Sequence, residues 1–396
     1  MSDTKVLVVT TLYPNSIQFR HGIFVENRIR YLNETGKVNI KVIAPVPWFP
    51  FRLRAFHNYS KFVDIPDYEL RHGIDVYHCR YGVIPKIGML LTPLFLAFSL
   101  FREIKRLQKT GYDFDVIDAH YYYPDGVAAA MVAKLLKKPL TITARGTDIN
   151  LIPQFFLPKK MILWASQVAN YNLAVCDALR QRMVDIGIKE ASTRVLRNGV
   201  DLNVFKPLDR EAIRRDRSVN SKLLISVGNL IEIKGHHLII EAMQELAGYE
   251  LWIVGDGDWK NKLNELTTEL NLHDRVFFFP EVEQRLLPEI YNCADALILA
   301  SEREGWPNVL LEAMACGTPV IASNVGGTSE ILCSPEAGIL FKDRTLQGIV
   351  FAVDQLFANY PDRMKTRAYA ENFSWTETTN GLLDLFARLK KQYYDA

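Results

Sequence analysis

The sequence predicts an α/β chain of two units, each an open, mostly parallel sheet wound with helices. Three observations carry this. The chain has 396 residues, more than one ordinary core accommodates. Short β-branched runs alternate with helical patterns, as in βαβ units whose buried strands read as continuous apolar runs. The same rhythm restarts once, after Lys206-Pro207 and the polar segment Asp209 to Ser221.

In the first half, Val6 to Thr10 reads as a strand, Ile23 to Leu32 as a helix and Asn39 to Ala44 as the next strand. The run from Pro45 to Pro66 is an irregular insertion with no assigned structure. Strand Val116 to Ala119, helix Gly126 to Leu136 and strands Leu140 to Thr143 and Leu173 to Val175 follow. The second half gives strand Leu223 to Val227, helix Gly235 to Leu246, strand Tyr249 to Val254, helix Trp259 to Leu270 and strand Arg275 to Phe279. Strand Ala296 to Leu299, helix Asn308 to Cys316 and strand Val320 to Ala322 complete its sheet core. The expected domains are 1–200 and 201–375. The last helical pattern, Thr376 to Leu389 within 376–396, is a candidate to pack back on the first half. Two such sheets place a ligand at the carboxyl ends of their strands, here in a cleft where the two sets face one another.

Composition narrows the function classes. Apolar residues at 48% and charged residues at 23% describe a folded globular chain. A net charge of +2 without a concentrated basic face gives no footprint for nucleic acid. Cys79, Cys176, Cys293, Cys316 and Cys333 form no CxxC pair, which favours reduced thiols over a disulfide framework or zinc site. No secretory leader is legible near Val6-Leu7-Val8-Val9, so a cytoplasmic address is expected. The apolar stretch Ile87 to Phe101 contains Pro93 and falls short of the roughly 20 residues of a spanning helix.

Three groups of residues suggest anion and sugar chemistry. Lys234 sits where the strand ending at Val227 turns through Gly228-Asn229 into a helix, whose first N–H groups and full charge suit a phosphate. Asn324-Val325-Gly326-Gly327-Thr328 is a second strand-to-helix junction, where paired glycines permit a nest of N–H groups. Between them, Glu304 ends a strand and Glu312 interrupts an apolar helix; a carboxylate can hold a vicinal diol of ribose or hexose. The plainer alternatives are a solvated lysine, a simple turn and two surface glutamates.

Taken together, Ser226 to Glu330 resembles the donor-binding half of the GT-B retaining glycosyltransferases of family four, which include mannosyl- and glucosyltransferases of envelope assembly. The family's E-x7-E motif matches Glu304 and Glu312, its phosphate-binding lysine matches Lys234, and its Gly-Gly-x-x-E matches Gly326, Gly327 and Glu330. The resemblance implies two Rossmann-like domains and a nucleotide-diphosphate sugar, a UDP-sugar foremost, as co-substrate, with no cofactor and no metal. It implies that Glu304 faces the donor sugar and Glu312 the ribose. The backbone of Gly305, Trp306, Pro307 and Asn308 would meet hexose hydroxyls, Glu281 and Val282 would flank the base, and Gly326, Gly327 and Thr328 would meet the diphosphate. Asn229 departs from the pattern: many members carry an arginine there, a charge that Arg303 or Arg145 would have to replace. In the first half, His120 at a strand end matches a histidine near the reacting sugar. Arg145-Gly146-Thr147-Asp148 resembles a segment that often reads H-G-[ST]-D, and His21-Gly22 a glycine loop that closes over donor and acceptor. His120, Glu304 and Lys234 are the catalytic candidates, and Gly22, Arg145 and Asp148 the acceptor-side ones.

Gly255-Asp256-Gly257 lacks the third glycine of a dinucleotide fingerprint, and the D-x-D triplets at Asp113/Asp115 and Asp256/Asp258 lie in different halves. The expected function is hexosyl transfer to a hydroxyl of a glycan or lipid-linked acceptor in envelope or exopolysaccharide synthesis. The rivals are a nucleotide-sugar epimerase and a regulatory protein that only binds sugar nucleotides. Trp48, Phe49, Phe51 and Phe56 interleave with Arg52 and Arg54, and Ile87 to Phe101 leads into Arg102, Lys105 and Arg106. Such a mix suits peripheral binding to an anionic inner membrane face as well as it suits a core helix with a decorated loop.

Overall fold

A computed structural model describes residues 4–48, 61–83 and 89–394. The residues up to Arg197, with those from Thr376 onward, form one unit, and Asn198–Trp375 form the other. The break falls just before the position read from sequence because the second unit holds Asn198 to Val200. The Trp306 indole donates to the Asn198 carbonyl at 2.9 Å, and the Val200 amide donates to Phe373 at 2.9 Å.

The first unit is built from β1 (Thr4–Val9), α1 (Ile23–Glu34), β2 (Val38–Ile43), β3 (Val46–Trp48), β4 (Tyr68–Arg71), β5 (Ile74–Tyr77), β6 (Arg80–Gly82), α2 (Thr92–Lys109), β7 (Val116–His120), α3 (Val127–Leu136), β8 (Leu140–Thr143), α4 (Phe156–Val168), β9 (Tyr171–Ala174), α5 (Asp177–Asp185) and β10 (Thr193–Val195). Its main sheet runs β10-β9-β8-β7-β1-β2-β5-β4. Every pairing is parallel except β4 on β5, which are joined through His72-Gly73. Both turn residues have positive φ, the requirement of a two-residue hairpin whose twist matches its strands. The first part of the insertion left unassigned by the sequence is β3, which pairs with β6 in a two-stranded parallel sheet. Phe49, Phe51, Arg52, Arg54, Phe56 and Ile87 lie outside the described residues.

Helix α3 packs between α2 and α4, so these three form one layer. All three begin at the carboxyl edge of the sheet. Just past the far end of α2, the Tyr112 hydroxyl donates to Val6 near the start of β1. At its near end, the Tyr123 hydroxyl, which follows β7, donates to the Met89 carbonyl. The last helix of the chain, Thr376–Tyr394, returns to this unit: Leu382, Leu385, Phe386 and Leu389 share a core with Val25, Ile29 and Leu32 of α1. Its end is held by Lys390 and Tyr394, which reach Asp115 at 3.0 and 2.8 Å.

The second unit contains α6 (Arg210–Asp216), β11 (Lys222–Val227), α7 (His236–Ala242), β12 (Tyr249–Val254), α8 (Lys260–Glu269), β13 (Val276–Phe279), α9 (Leu287–Cys293), β14 (Ala296–Leu299), α10 (Asn308–Ala315), β15 (Val320–Ser323), β16 (Gly338–Phe341), α11 (Leu346–Ala358) and α12 (Arg363–Ala370). The strand order β13-β12-β11-β14-β15-β16 is wholly parallel. Winding reverses between β11 and β14, and a crevice for ligands opens outside the carboxyl ends at such a switch point. The loops after β11 and β14 flank that crevice. In the first unit the reversal lies between β7 and β1, so the loops after these two strands flank its crevice.

Candidate active site

At the switch point of the second unit the loops after β11, β14 and β15 meet. Lys234, at the end of the β11 loop, places Nζ 2.6 Å from Glu304 Oε1 in the β14 loop. Glu304 is nearly enclosed at 9% side-chain exposure, while Lys234 keeps 23%. The Glu302 amide donates to Ile233 at 2.7 Å, which fixes the two loops side by side. Gly326 brings in the third loop: its φ is +52°, and a Cβ there would stand 2.0 Å from the Glu304 carbonyl oxygen. Only glycine lets the β15 loop pass so close in that conformation.

Other expected donor contacts are already engaged within the fold. The Gly327 amide donates to Gly305 at 3.1 Å, so it braces the β14 loop instead of pointing outward. Thr328 is fully buried; its hydroxyl donates to Ser323 at 2.7 Å and its amide to Val325 at 3.1 Å. Both residues build the cradle from within. The Trp306 indole is buried and occupied by Asn198, which leaves its role to the backbone; Pro307 precedes α10, and Asn308 opens it. Glu312, one turn into α10, accepts from the buried Tyr291 hydroxyl at 2.9 Å. Glu281 and Val282 follow the edge strand β13, two strands from β11, with Glu281 exposed and Val282 half-buried.

Asn229 is exposed, and its carbonyl is aimed by His236, an unforeseen part of the site. His236 Nε2 lies 3.2 Å from that carbonyl and Nδ1 3.0 Å from the Ser226 hydroxyl. A carbonyl only accepts, so Nε2 carries the hydrogen and Nδ1 accepts from Ser226. Burial pushes this imidazole from an ordinary 6.5 down to about 4. The unfolded chain takes up a proton near 6.5 and the folded one only near 4, so the second unit loses stability as pH falls through that window. The loss is at most about 3 kcal/mol. Urea denaturation across the window should show the gap between wild type and His236→Gln narrowing as pH drops; a constant gap would remove the assignment.

In the first unit, His120 ends β7 with its ring fully buried. Arg145 Nη2 approaches Nδ1 at 2.6 Å, and Asp118 Oδ2 sits 3.3 Å from Nε2. A guanidinium only donates, so Nδ1 accepts and the ring hydrogen faces Asp118. Burial holds the imidazole down to about 4, hence neutral. Burial opposes the Asp118 charge, but His120 and Arg28 outweigh it and keep its carboxyl below the usual range. Arg28 of α1 is buried; one nitrogen lies 3.4 Å from the Leu196 carbonyl, while Nε and Nη2 have no hydrogen-bond partner among the described residues. Arg145 also lies over the Phe24 ring at 5.2 Å.

The His120 ring thus lies between Arg145 and Asp118, with each nitrogen facing one of them. Asp148 is likewise fully buried, and its carboxylate accepts from the amides of Tyr122 at 2.8 Å, Gly146 at 2.8 Å and Arg145 at 3.0 Å. It ties the loop after β7 to the loop after β8, so it positions Arg145 from behind. Gly22 precedes α1 at φ +72°, where a Cβ would stand 2.2 Å from the Leu12 carbonyl oxygen; it lets the β1 loop close on the helix start. Asp115 of the D-x-D triplet is engaged by Lys390, Tyr394 and the Lys5 amide.

Comparison with known proteins agrees with this architecture. Residues 52–204 match the family model for glycosyltransferase family 4, and residues 209–373 that for group 1 glycosyl transferases. TuaC of Bacillus subtilis, provisionally assigned as a teichuronic acid biosynthesis glycosyltransferase, is 29% identical over 88% of each chain. The D-inositol 3-phosphate glycosyltransferase of Geodermatophilus obscurus is 27% identical over 88% of this chain and 84% of its own. Among solved structures, a sucrose-phosphate synthase from Thermosynechococcus elongatus superimposes with a TM-score of 0.80 at 17% identity, covering 98% of this chain and 99% of the other. HepE of Anabaena, solved with UDP and glucose, gives 0.73 at 19% identity, covering 97% and 100%.

Proposed function

Because the chain belongs to the glycosyltransferases of group 1 and family 4, we propose that it moves a hexosyl group from a UDP-sugar to a hydroxyl of a glycan or lipid-linked acceptor. Synthesis of cell envelope or exopolysaccharide is the expected setting. The observation that carries this reading is the Lys234–Glu304 pair, set against Gly326 at the switch point of the second sheet. A nucleotide diphosphate leaves as an anion, and a positioned cation stabilises the charge that develops as the glycosidic bond breaks. Lys234 supplies that charge. Arg303, on the same loop as Glu304 and with a buried Nε that lacks a hydrogen-bond partner among the described residues, supplies the second charge that Asn229 does not. Glu304 then receives the sugar hydroxyls, and Glu312 the ribose diol.

Transfer proceeds with retention and without a divalent metal. Inversion calls for a positioned base at the acceptor, and double displacement for a carboxylate beneath the ring. The sequence offered His120 and Asp148 for those parts, and their enclosure supports the alternative. The acceptor attacks from the leaving-group face, and the departing phosphate takes its proton. Arg145 serves the sugar side, with His120 and Asp148 as positioning residues. Proton NMR of the first-formed product should show the donor's anomeric configuration, with the rate unchanged in chelator. An inverted centre rejects the mechanism, and a loss restored by manganese or magnesium rejects the metal-free part.

A further inference from the structure

The outer face of α2 changes character along its axis. Leu91, just before its first turn, and Leu94, Phe95 and Phe98 within its first two turns are exposed. At the same helical spacing, Arg102, Lys105, Arg106 and Lys109 follow, all exposed. The core side of the helix is already filled by Leu96, Leu100, Ile104 and Leu107, and the outer apolar residues leave much of their surface to solvent. The start of α4 repeats the pattern: Phe155, Phe156 and Leu157 are exposed, and Lys159 and Lys160 follow. Lys160 lies 4.3 Å over the Phe156 ring and Arg102 5.8 Å over that of Phe98. Both helix starts lie at the carboxyl edge of the sheet on either side of α3, about 20 Å apart at ordinary helix spacing.

We propose that this end of the α2–α4 layer docks on the surface of an anionic lipid bilayer. Exposed aromatic and aliphatic side chains at two neighbouring helix starts are more than scattered surface residues require. The charge that follows them is cationic on both helices. Helix α4 has no acidic residue, and Glu103 of α2 is paired with Arg106 at 3.6 Å. From Leu91 to Phe98 the axis advances about 10 Å, the depth to which interfacial helices bury their apolar side, with the basic turns then at the level of anionic headgroups. The same edge of the sheet carries His120 and Arg145. A lipid-linked acceptor would therefore arrive beside them, a step that rests on the proposed function, whereas the docking does not.

The test is co-sedimentation of the full chain with phosphatidylcholine vesicles, with and without phosphatidylglycerol. Binding should require phosphatidylglycerol and weaken with salt. Each basic residue contributes about 1 kcal/mol, so Arg102→Gln with Lys105→Gln should lower partitioning about 25-fold. Phe98→Gln with Phe156→Gln should lower it at least about tenfold, while both pairs keep wild-type affinity for UDP by calorimetry. No sedimentation, equal binding to neutral vesicles, or variants that bind like wild type would overturn the proposal. Self-association abolished by Phe98→Gln would reassign the face to a second copy. Vesicle binding without glycosyl transfer would instead count against the proposed function.

Discussion

Asp118→Asn should destabilise the first unit by about 3–5 kcal/mol, a large part of the 5–15 kcal/mol that holds a typical domain together. Asp118 is fully buried, and two arginines, the buried Arg28 and the half-buried Arg145, share its surroundings. Its other oxygen accepts from the Thr141 hydroxyl at 2.6 Å. Burial draws the Arg28 guanidinium down to about 10, with Asp118 opposing that fall; it stays charged at neutral pH all the same. Asparagine keeps the shape but removes the negative charge that acts on Arg28 and His120, which leaves a cation in the core without that compensation. Denaturant unfolding should show the loss, and hydrogen exchange should localise it to β1, β7 and α1. Arg28→Met in the same chain should restore part of it, because the uncompensated charge is then gone. A single variant within about 1 kcal/mol of wild type would mean that water or Asp148 already balances Arg28.

What was legible in the sequence follows from which signals are one-dimensional. Buried parallel strands are continuous apolar runs, so β1, β8, β12 and β14 could be read within a residue or two of their ends. The hairpin β4–β5 was not read, since in β4 the apolar Tyr68 and Leu70 are the exposed residues and so do not mark the inner face. Its turn, with His72-Gly73 between Arg71 and Ile74, was the available clue. In the site, the spacing from Glu304 to Glu312 and the Gly326-Gly327 pair were visible as motifs. What a motif does not disclose is whether a donor group is already engaged: Gly327 and Thr328 carry N–H and O–H groups that look suited to phosphate, but the Gly327 amide bonds to the neighbouring β14 loop and the Thr328 hydroxyl to Ser323. The burial of His120 and Asp148 was not legible for the same reason, because a polar residue after a strand reads alike whether it faces a ligand or a neighbouring loop. Arg28 left one trace, a charge at a core position of the Val25-Ile29-Leu32 stripe, where a lysine or arginine is rarely buried without a counter-charge.

Lys234→Ala should weaken UDP binding by about 1.5–3 kcal/mol, the worth of a hydrogen bond to a charged group, or about 10- to 150-fold in Kd. Lys234 is held by Glu304 at 2.6 Å, so the alanine variant loses a cation and also leaves a nearly enclosed carboxylate facing the incoming diphosphate. That second effect separates this pair from an ordinary surface bridge, whose removal is worth about 0–1 kcal/mol. Glu304→Gln should behave oppositely toward the nucleotide alone. Lys234 is released from its partner, so UDP affinity should hold or rise while turnover falls, because the sugar loses a charged acceptor. Glu312→Gln, eight residues on within α10, should weaken UDP binding through the ribose and lower kcat little. The double variant Lys234→Ala with Glu304→Gln should recover part of the affinity lost in the first, a coupling that titration calorimetry measures as a cycle. Additive losses would mean that Lys234 and Glu304 do not act on the same ligand. Unchanged UDP affinity in Lys234→Ala, with circular dichroism as in wild type, would move the diphosphate away from the switch point altogether.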